Sequence, residues 1–330
     1  MDNIRIGSLC SGYRGLDMAV EAVFGGTPAW VSDIDPGASR ILAHHLPQVP
    51  NIGDLTAVDW SAVEPVDVVC GGYPCQPFSA AGLRKGTADE RHIWPHIAHS
   101  LRVLRPRIAI FENVANHLRL GFDTVLCDLA DLGFNVQWCV ASASEVGAPH
   151  KRRRLFILAT ATDAPNLGHE RAGSTRDGWV GPSDDSVSAA DTNRFVPRDD
   201  GELPSGRNAV PGGLRDDAAG RDSASASHPD CVGRRPGEPD VWAGQPDAAW
   251  GRFLPAVRRW ERALNRPAPR ATDVRNRLSP EFVEWLMGLP AGHVTGVPGL
   301  SRNQQLHALG NGVVPRQAEA AIRLLAARAV

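Results

Sequence analysis

The amino-acid sequence predicts an α/β fold, with a mostly parallel sheet covered by helices on both faces. Over residues 1–160, short apolar segments rich in β-branched residues alternate with segments of helical periodicity. Such alternation is typical of parallel sheets, because each crossover helix packs on one face of the sheet. The chain has 330 residues, of which 42% are hydrophobic, and this is enough for a sizeable core.

Six segments have the length and composition of strands. They are residues 4–10, 29–34, 66–72, 107–113, 134–140 and 154–160. Residues 15–24 and 122–133 show helical periodicity between them. Towards the C-terminus, Ser279 is expected to cap a helix that begins at Pro280. The stretch LGNGVVPRQAEAAIRLLAARAV then predicts a glycine-rich turn and a final helix.

The sequence divides into three parts by composition. Residues 1–160 and 277–330 are ordinary globular sequence, whereas Ser, Gly, Pro, Asp and Arg dominate residues 161–276. Within that middle part, only residues 250–265 have the pattern of an ordered amphipathic helix. The composition is compatible with a small loop-rich lobe or with a disordered insertion.

Bulk properties exclude several classes of protein. The formal net charge is −2, so no overall positive field indicates a nucleic-acid partner. No apolar run reaches 18 residues, and the first residues lack the layout of a signal peptide, so we expect a cytoplasmic protein without membrane contact. The six cysteines show neither metal-ligand spacing nor the density of a disulfide framework. We therefore expect no metal site.

A glycine-containing turn follows the first predicted strand. The stretch SLCSGYRG, residues 8–15, leads into a helix, and glycines at such a turn let a ligand approach the backbone. Asp33 ends the second strand, where a carboxylate accepts hydrogen bonds from ribose hydroxyls. Asp54 follows the next short segment, where an adenine edge would be read. Taken alone, the glycines are equally compatible with an ordinary tight turn.

Three further groups fall at the expected carboxyl ends of strands. Cys75 lies between two prolines in PCQPFS, Glu112 belongs to FENV, and paired arginines occur in APHKRRRLF, residues 148–156. Ligands of open α/β sheets bind at this edge, so a thiol, a carboxyl group and guanidinium groups are predicted to converge on one cleft. Singly, each has a structural explanation as a buried thiol, a helix N-terminal acid or a solvated basic face.

These blocks, in this order, resemble those of the cytosine-specific DNA methyltransferases that modify carbon 5 of the base. PCQPFS is similar to the Pro-Cys-Gln block of that family and FENV to its Glu-Asn-Val block. PHKRRR is similar to its Gln-x-Arg-x-Arg block, with His150 at the Gln position. LGNGVVP, residues 309–315, is similar to its C-terminal Gly-Asn block. The resemblance covers residues 4–160 and 277–325.

The resemblance implies a Rossmann-like, S-adenosylmethionine-dependent methyltransferase sheet with a smaller, loop-rich target-recognition lobe. It makes residues 1–160 the catalytic domain, residues 161–276 the recognition lobe, and residues 277–330 a segment that returns to the catalytic domain. The implied catalytic residues are Cys75, Glu112, Arg152 and Arg154. The implied contacts to S-adenosyl-L-methionine are Leu9, Cys10, Ser11, Gly12, Tyr13, Gly15, Asp33, Ile34, Asp54, Leu55, Pro74, Asn311 and Val313. The implied substrate contacts are Gln76, Ser79, Asn113 and Val114.

The same resemblance implies covalent catalysis on a cytosine that has been flipped out of double-stranded DNA. Addition of the Cys75 thiolate to carbon 6 would make carbon 5 nucleophilic, with Glu112 at ring nitrogen 3 and the two arginines at the base carbonyl and phosphate. It also implies a monomer, with a restriction endonuclease as a companion enzyme. The alternatives are an RNA cytosine methyltransferase that uses the same residues and a catalytically inactive DNA-binding relative.

The first block departs from the family pattern. Cys10 stands where an aromatic residue usually packs on the adenine, and Arg14 replaces a glycine, while Gly12 and Gly15 remain. Cofactor binding through the backbone is expected to survive these changes. Tyr13 is expected to supply substitute contacts to the cofactor.

Overall fold

The computed structural model describes residues 4–74, 93–162 and 247–329, which form an α/β body around a six-stranded sheet. Its strands are β1 (Arg5–Leu9), β2 (Thr27–Ser32), β3 (Val68–Gly72), β4 (Ile108–Val114), β5 (Phe134–Ser142) and β6 (Arg153–Ala161). The spatial order is β2-β1-β3-β4-β6-β5. The first four strands are parallel, and β6 runs antiparallel to both of its neighbours. The predicted mostly parallel sheet is therefore confirmed.

Helices cover both faces of this sheet. They are α1 (Gly15–Phe24), α2 (Pro36–His45), α3 (Trp94–Leu104), α4 (Phe122–Asp131), α5 (Asp247–Trp250), α6 (Leu254–Leu264), α7 (Pro280–Leu286), α8 (Arg302–Asn311) and α9 (Pro315–Arg328). Side chains of β3 alternate between the faces, because successive strand residues point to opposite sides. Val68 packs with α1 and α9, whereas Val69 packs with α3 and α4. None of the described helices combines the length and apolar character needed to cross a bilayer.

A third apolar cluster joins α6, α7 and α8 to the first glycine turn. Trp260 on α6 is fully buried, and its indole N–H donates to the carbonyl of Trp285 at 2.9 Å. Tyr13 and Ile41 belong to the same cluster. Helix α6 therefore packs into the same body as the six-stranded sheet. Residues 163–246, the remainder of the predicted recognition lobe, lie outside the described residues.

Helices α7 and α8 each begin after a serine that caps the helix N-terminus. Ser279 Oγ accepts the backbone N–H of Phe282 at 3.2 Å, and Pro280 is the first residue of α7, as predicted. The prediction of a glycine-rich turn from residue 309 was partly wrong, since α8 continues to Asn311. A capping box between Ser301 and Gln304 begins that helix. Its polar sequence has no apolar stripe that would have revealed it.

Candidate active site

A cavity of about 810 Å³ opens at the carboxyl ends of the parallel strands. Both its volume and its place in the sheet are usual for a small-molecule site. The predicted site residues that line it are Leu9, Cys10, Ser11, Gly12, Gly15, Asp33, Ile34, Asp54, Leu55, Pro74, Glu112, Asn113, Val114, Arg154, Asn311 and Val313. Among the described residues, no group of three or more His, Cys, Asp or Glu side chains is placed to hold a metal ion.

The predicted nucleophile and two predicted substrate contacts, Cys75, Gln76 and Ser79, lie outside the described residues. The described chain reaches the cavity immediately before them, because Tyr73 and Pro74 both line it. The carboxamide of Asn113 donates to the Tyr73 carbonyl at 3.4 Å. This contact ties the end of β4 to the chain that leads into Cys75.

Asp33 organises one end of the cavity. Its Oδ2 accepts the backbone N–H of Gly12 at 2.8 Å, and its Oδ1 accepts that of Asp35 at 2.9 Å. Gly12 has a φ of 55°, a conformation that glycine adopts without steric cost. Burial raises the pKa of Asp33, while the two backbone donors favour its ionised form. The carboxylate thus joins the loops after β1 and β2 and keeps lone pairs for a ligand hydroxyl.

An exposed apolar side chain and a second carboxylate lie farther along the cavity. Ile34 is 72% exposed although its side chain is apolar, so it presents a surface that a flat ring would cover. Asp54 accepts the backbone N–H and the hydroxyl of Thr56 at 2.9 and 2.8 Å, and these bonds lower its pKa. Its second carboxylate oxygen has no protein donor at hydrogen-bonding distance among the described residues.

Tyr13 is not among the residues that line the cavity, and its contact to the cofactor stays a prediction. The ring is fully buried, and its hydroxyl donates to the Val313 carbonyl at 2.7 Å. The backbone of Gly15 approaches the same carbonyl so closely that a Cβ atom there would lie 2.1 Å from it. A Cβ atom at Gly312 would overlap the Tyr13 ring. Tyr13 therefore fastens the first glycine block to the C-terminal block.

The two departures in the first block have structural explanations. Arg14 has a φ of 73°, in the left-handed region that favours glycine, and it pairs with Glu21 of α1 at 2.5 Å. The arginine therefore extends along α1. Cys10 does line the cavity, but burial and the nearby Asp33 raise its pKa to about 12. Its thiol is neutral at physiological pH and acts as a small packing group.

Strand register brings a carboxyl group and a guanidinium group together at the other end of the cavity. Val114 of β4 pairs with Arg154 of β6. Glu112 lies two positions before Val114 on β4, so its side chain is on the same face of the sheet as that of Arg154 and diagonal to it. Arg154 Nε is 2.7 Å from Glu112 Oε1. Burial raises the pKa of Glu112, and the positive charges of Arg154 and Arg152 oppose that rise. A Cβ atom on the neighbouring Gly72 would lie 3.3 Å from Glu112 Oε2, so glycine leaves room for the carboxyl group.

Arg152 does not line the cavity, although it was predicted to hold the base with Arg154. Its Nη2 donates to the carbonyls of Gly310 and Gly312 at 3.0 and 2.5 Å. Its own carbonyl accepts the side-chain amide of Gln317 at 2.8 Å. This guanidinium binds the backbone of the C-terminal block through Nη2, and its contact to the base stays a prediction. Nearby, burial and the two arginines lower the pKa of His150 to about 4, so its ring is neutral.

Sequence reasoning missed several residues that line the cavity, among them Asp35, Tyr73 and His307. Asp35 precedes a proline and caps α2, a signal that the Asp-Pro pair carries in the sequence. His307 accepts a hydrogen bond from Asn311 Nδ2 at 3.1 Å and was missed with the rest of α8. Tyr73 was missed because its position beside the cavity depends on a tertiary contact. Its hydroxyl donates to Nε2 of His117 at 2.8 Å.

Comparison with known proteins places these features in a family. The sequence model described as "C-5 cytosine-specific DNA methylase" matches residues 4–189. The Type II methyltransferase M.NgoBV of Neisseria gonorrhoeae is 29% identical over 199 residues, which cover 53% of this chain and 46% of that protein. M.MspI of Moraxella sp is 32% identical over 161 residues, covering 46% and 37%. A DNA N-6-adenine-methyltransferase of Escherichia phage P1 is 36% identical over 219 residues, covering 49% and 29%.

The matched part spans less than half the length of these curated relatives. Among solved structures, the methyltransferase EhMeth of Entamoeba histolytica aligns with a TM-score of 0.59 at 14% identity, covering all of both chains. A mutant DNMT2 of Spodoptera frugiperda aligns with a TM-score of 0.53 at 16% identity, covering 98% of this chain and 99% of that one. At such identities the likeness shows a shared fold.

Proposed function

Because this chain belongs to the C-5 cytosine-specific DNA methylase family, we propose that it transfers a methyl group from S-adenosylmethionine to carbon 5 of cytosine in duplex DNA. The observation that carries the proposal is that one cavity is lined both by Asp33 and Asp54 and by the Glu112–Arg154 pair. The carboxylates of Asp33 and Asp54 suit a ligand with hydroxyl and amino groups, whereas the buried Glu112 beside Arg154 suits a polar ring. One cavity can therefore hold two ligands of different chemistry next to each other.

The residues around the Asp33 end fit S-adenosylmethionine. Asp33 would accept hydrogen bonds from the ribose, Asp54 from the adenine amino group, and Ile34 would cover the adenine ring. Leu55 and the backbone of residues 9–15 would surround the rest, with Asn311 and Val313 closing the methionine side. When bound there, S-adenosylmethionine supplies an electrophilic methyl group.

The Glu112 end fits a cytosine ring. Glu112, protonated or sharing a proton, would donate to ring nitrogen 3, and Arg154 would donate to the ring carbonyl oxygen. A raised pKa suits Glu112 to this task, because a general acid must hold its proton near neutral pH. Asn113 and Val114 would line the base side, with Gln76 and Ser79 as further substrate contacts. Arg152 would act as a positioning residue through the carbonyls of Gly310 and Gly312.

Cys75 is the proposed nucleophile. Its thiolate would form a bond to carbon 6 while nitrogen 3 takes the proton of Glu112, which makes carbon 5 nucleophilic. Carbon 5 would then bond to the methyl carbon as the bond between that carbon and the sulfonium sulfur breaks, so that S-adenosylhomocysteine would leave. Loss of the carbon-5 proton to a water molecule would return the bonding electrons to the ring as the double bond between carbons 5 and 6 and break the bond between carbon 6 and the Cys75 sulfur. Cys75 would thereby leave as a thiolate and Glu112 would regain its proton.

Target choice and partners belong to the same proposal. Residues 163–246, the part of the predicted recognition lobe that precedes α5, would select the DNA sequence that contains the target cytosine. A restriction endonuclease with the same recognition sequence would be the companion enzyme, as the Type II names of the relatives suggest. The protein would act as a monomer inside the cell.

Nucleoside analysis tests the reaction directly. The purified chain would be incubated with S-adenosylmethionine carrying a labelled methyl group and, in separate reactions, with duplex DNA or with tRNA, and the digested nucleosides would be separated by mass spectrometry. Labelled 5-methylcytosine is expected, and Glu112→Gln should yield far less of it. Labelled N6-methyladenine would instead favour the activity named for the phage P1 relative. Label in tRNA alone would favour an RNA methyltransferase, and an absence of label would favour an inactive relative.

A further inference from the structure

The positive charge of this chain is concentrated in one described segment. Residues 247–277 contain eight arginines and three acidic residues, a formal net charge of +5 in a protein whose overall charge is −2. Seven of those arginines are exposed. Exposed arginines bind phosphate groups well, because the planar guanidinium donates two parallel hydrogen bonds. The segment is thus a candidate surface for a polyanion.

Helix α6 arranges three of these arginines on one side. Val257 and Trp260 are buried against α7, while Arg258, Arg259 and Arg262 are exposed. With 3.6 residues per turn, these three positions fall within about 100° of one another, opposite the Trp260 side of the helix. Packing of Trp260 therefore fixes the direction in which the arginine side faces solvent. We call these three residues the α6 arginine face.

In the part of the chain that the structure describes, neighbouring carboxylates neutralise one of the three. Arg258 pairs with Glu261 at 2.7 Å and with Asp247. No carboxylate of the described residues lies within ion-pair distance of Arg259 or Arg262. Among the described residues, Arg259 donates only through Nε, to the Gly147 carbonyl at 3.3 Å, so its terminal amino groups have no partner there.

The Gly147 contact also fixes where the face lies. Gly147 belongs to the connection between β5 and β6, which leads directly to Arg152 and Arg154. Arg154 pairs with Val114 at the carboxyl end of β4. This connection therefore lies at the sheet edge on which the cavity opens, and the α6 arginine face is attached to the same edge.

We propose that the α6 arginine face binds the phosphate backbone of the duplex next to the base that enters the cavity. The inference rests on the proposed function, since it takes duplex DNA as the substrate. Duplex DNA carries about one negative charge per 1.7 Å of helix axis. Its phosphates are therefore spaced closely enough for Arg259 and Arg262, which lie about one turn apart on α6, to contact the backbone at the same time. The chain thus holds the substrate by a local basic surface without a positive net charge.

The salt dependence of DNA binding tests this assignment. Dissociation constants for a short DNA duplex and for a structured RNA of the same length would be measured over a range of salt for the full chain, for Arg262→Gln and for Arg259→Gln/Arg262→Gln. Each phosphate contact contributes about 0.9 to the slope of log K against log salt, so the slope should become shallower by about that amount per arginine. Affinity for S-adenosylmethionine should stay unchanged. Arg102→Gln/Arg105→Gln, at the C-terminal end of α3 on the opposite sheet edge, is the matched control and should keep the wild-type slope.

Three results would overturn the proposal. The first is a wild-type slope for Arg262→Gln, whose exposed side chain has no hydrogen-bond or ion-pair partner among the described residues. The second is an equal change in the α3 control, which would indicate a non-specific charge effect. The third is a change confined to structured RNA of the same length. In each case, formation of 5-methylcytosine by the wild-type chain, measured in parallel, shows whether the proposed function still stands.

Discussion

Arg154 Nε lies 2.7 Å from Oε1 of Glu112, and this pair faces the cavity from two strands that run side by side. The two side chains come from blocks 42 positions apart in the sequence, and the antiparallel register of β4 and β6 alone brings them together. Glu112 is only 7% exposed, so burial favours its protonated form while the guanidinium favours the charged one. A carboxyl group balanced in this way suits transient proton donation.

Replacement of Glu112 by Gln should remove that proton while keeping the side-chain shape. We expect methyl transfer to fall by about 10²–10⁴-fold, the usual contribution of general acid–base catalysis. The dissociation constant of S-adenosylmethionine should change little. Single-turnover kinetics and calorimetry measure the two quantities. A loss of cofactor or DNA binding with an unchanged chemical step would assign Glu112 a structural role instead.

Asp33→Ala should weaken cofactor binding, because the carboxylate organises the Gly12 and Asp35 backbones and is the proposed ribose acceptor. Loss of a hydrogen bond to a charged group costs about 1.5–3 kcal/mol, which is roughly a 10- to 160-fold rise in dissociation constant. Asp59→Ala is the control, since Asp59 also accepts loop hydrogen bonds but does not line the cavity. Equal affinities for wild type and Asp33→Ala by calorimetry would refute the assignment.

Arg152→Gln should affect cofactor binding more than chemistry. Removal of the guanidinium leaves the Gly310 and Gly312 carbonyls without their donor, at a cost of about 1–3 kcal/mol. The affected backbone lines the cavity beside Asn311, so the dissociation constant of S-adenosylmethionine should rise. Arg154→Gln is the comparison and should lower the rate of the chemical step at unchanged cofactor affinity. The opposite split would return Arg152 to the base-binding role.

Asp17 should make the stability of the fold depend on pH. It is 3% exposed, and burial raises its pKa from 3.8 to about 6, with Arg14 opposing the rise. The folded state then binds the proton more tightly than the unfolded state, so the free energy of unfolding falls as pH rises from about 4 to about 6. A shift of about two units corresponds to about 3 kcal/mol.

Urea unfolding of wild type and Asp17→Asn at pH 4, 5, 6 and 7 measures this dependence. The fall between pH 4 and 6 should be smaller in the variant, because Asp33 and Glu112 still contribute to it, whereas Asp123→Asn, a change at an exposed residue of α4, should retain the wild-type fall. Parallel curves for wild type and Asp17→Asn would show that Asp17 does not titrate in this range.

The sequence was sufficient for the sheet and for most of the cavity. Strands of this fold are short and apolar, and the blocks around Gly12, Glu112 and Arg154 lie where those strands end, so periodicity and position were informative together. Helix α8 was missed because RNQQLHALGN has no apolar stripe and depends on its cap and on packing. His307 was missed as a consequence.

Roles that depend on tertiary hydrogen bonds could not be predicted. Tyr13 and Arg152 each stand beside predicted ligand-binding positions, yet both side chains bind backbone carbonyls of the C-terminal block about 160 to 300 positions away. Nothing in local sequence distinguishes an arginine that binds a base from one that binds a carbonyl. The two roles differ only in tertiary structure, because the C-terminal block packs beside the first glycine turn and its carbonyls accept hydrogen bonds from these side chains.

Covalent trapping on DNA tests the central claim most directly. Duplex DNA that contains 5-fluorocytosine blocks release of the nucleophile, because carbon 5 carries no proton to lose after methyl transfer. With S-adenosylmethionine and the recognised sequence, the wild-type chain should form an adduct that survives denaturation, and Cys127→Ser should form it equally. Cys75→Ser should form none. A wild-type chain that methylates unmodified DNA without forming the adduct, or an adduct with Cys75→Ser, would contradict the proposed role of Cys75.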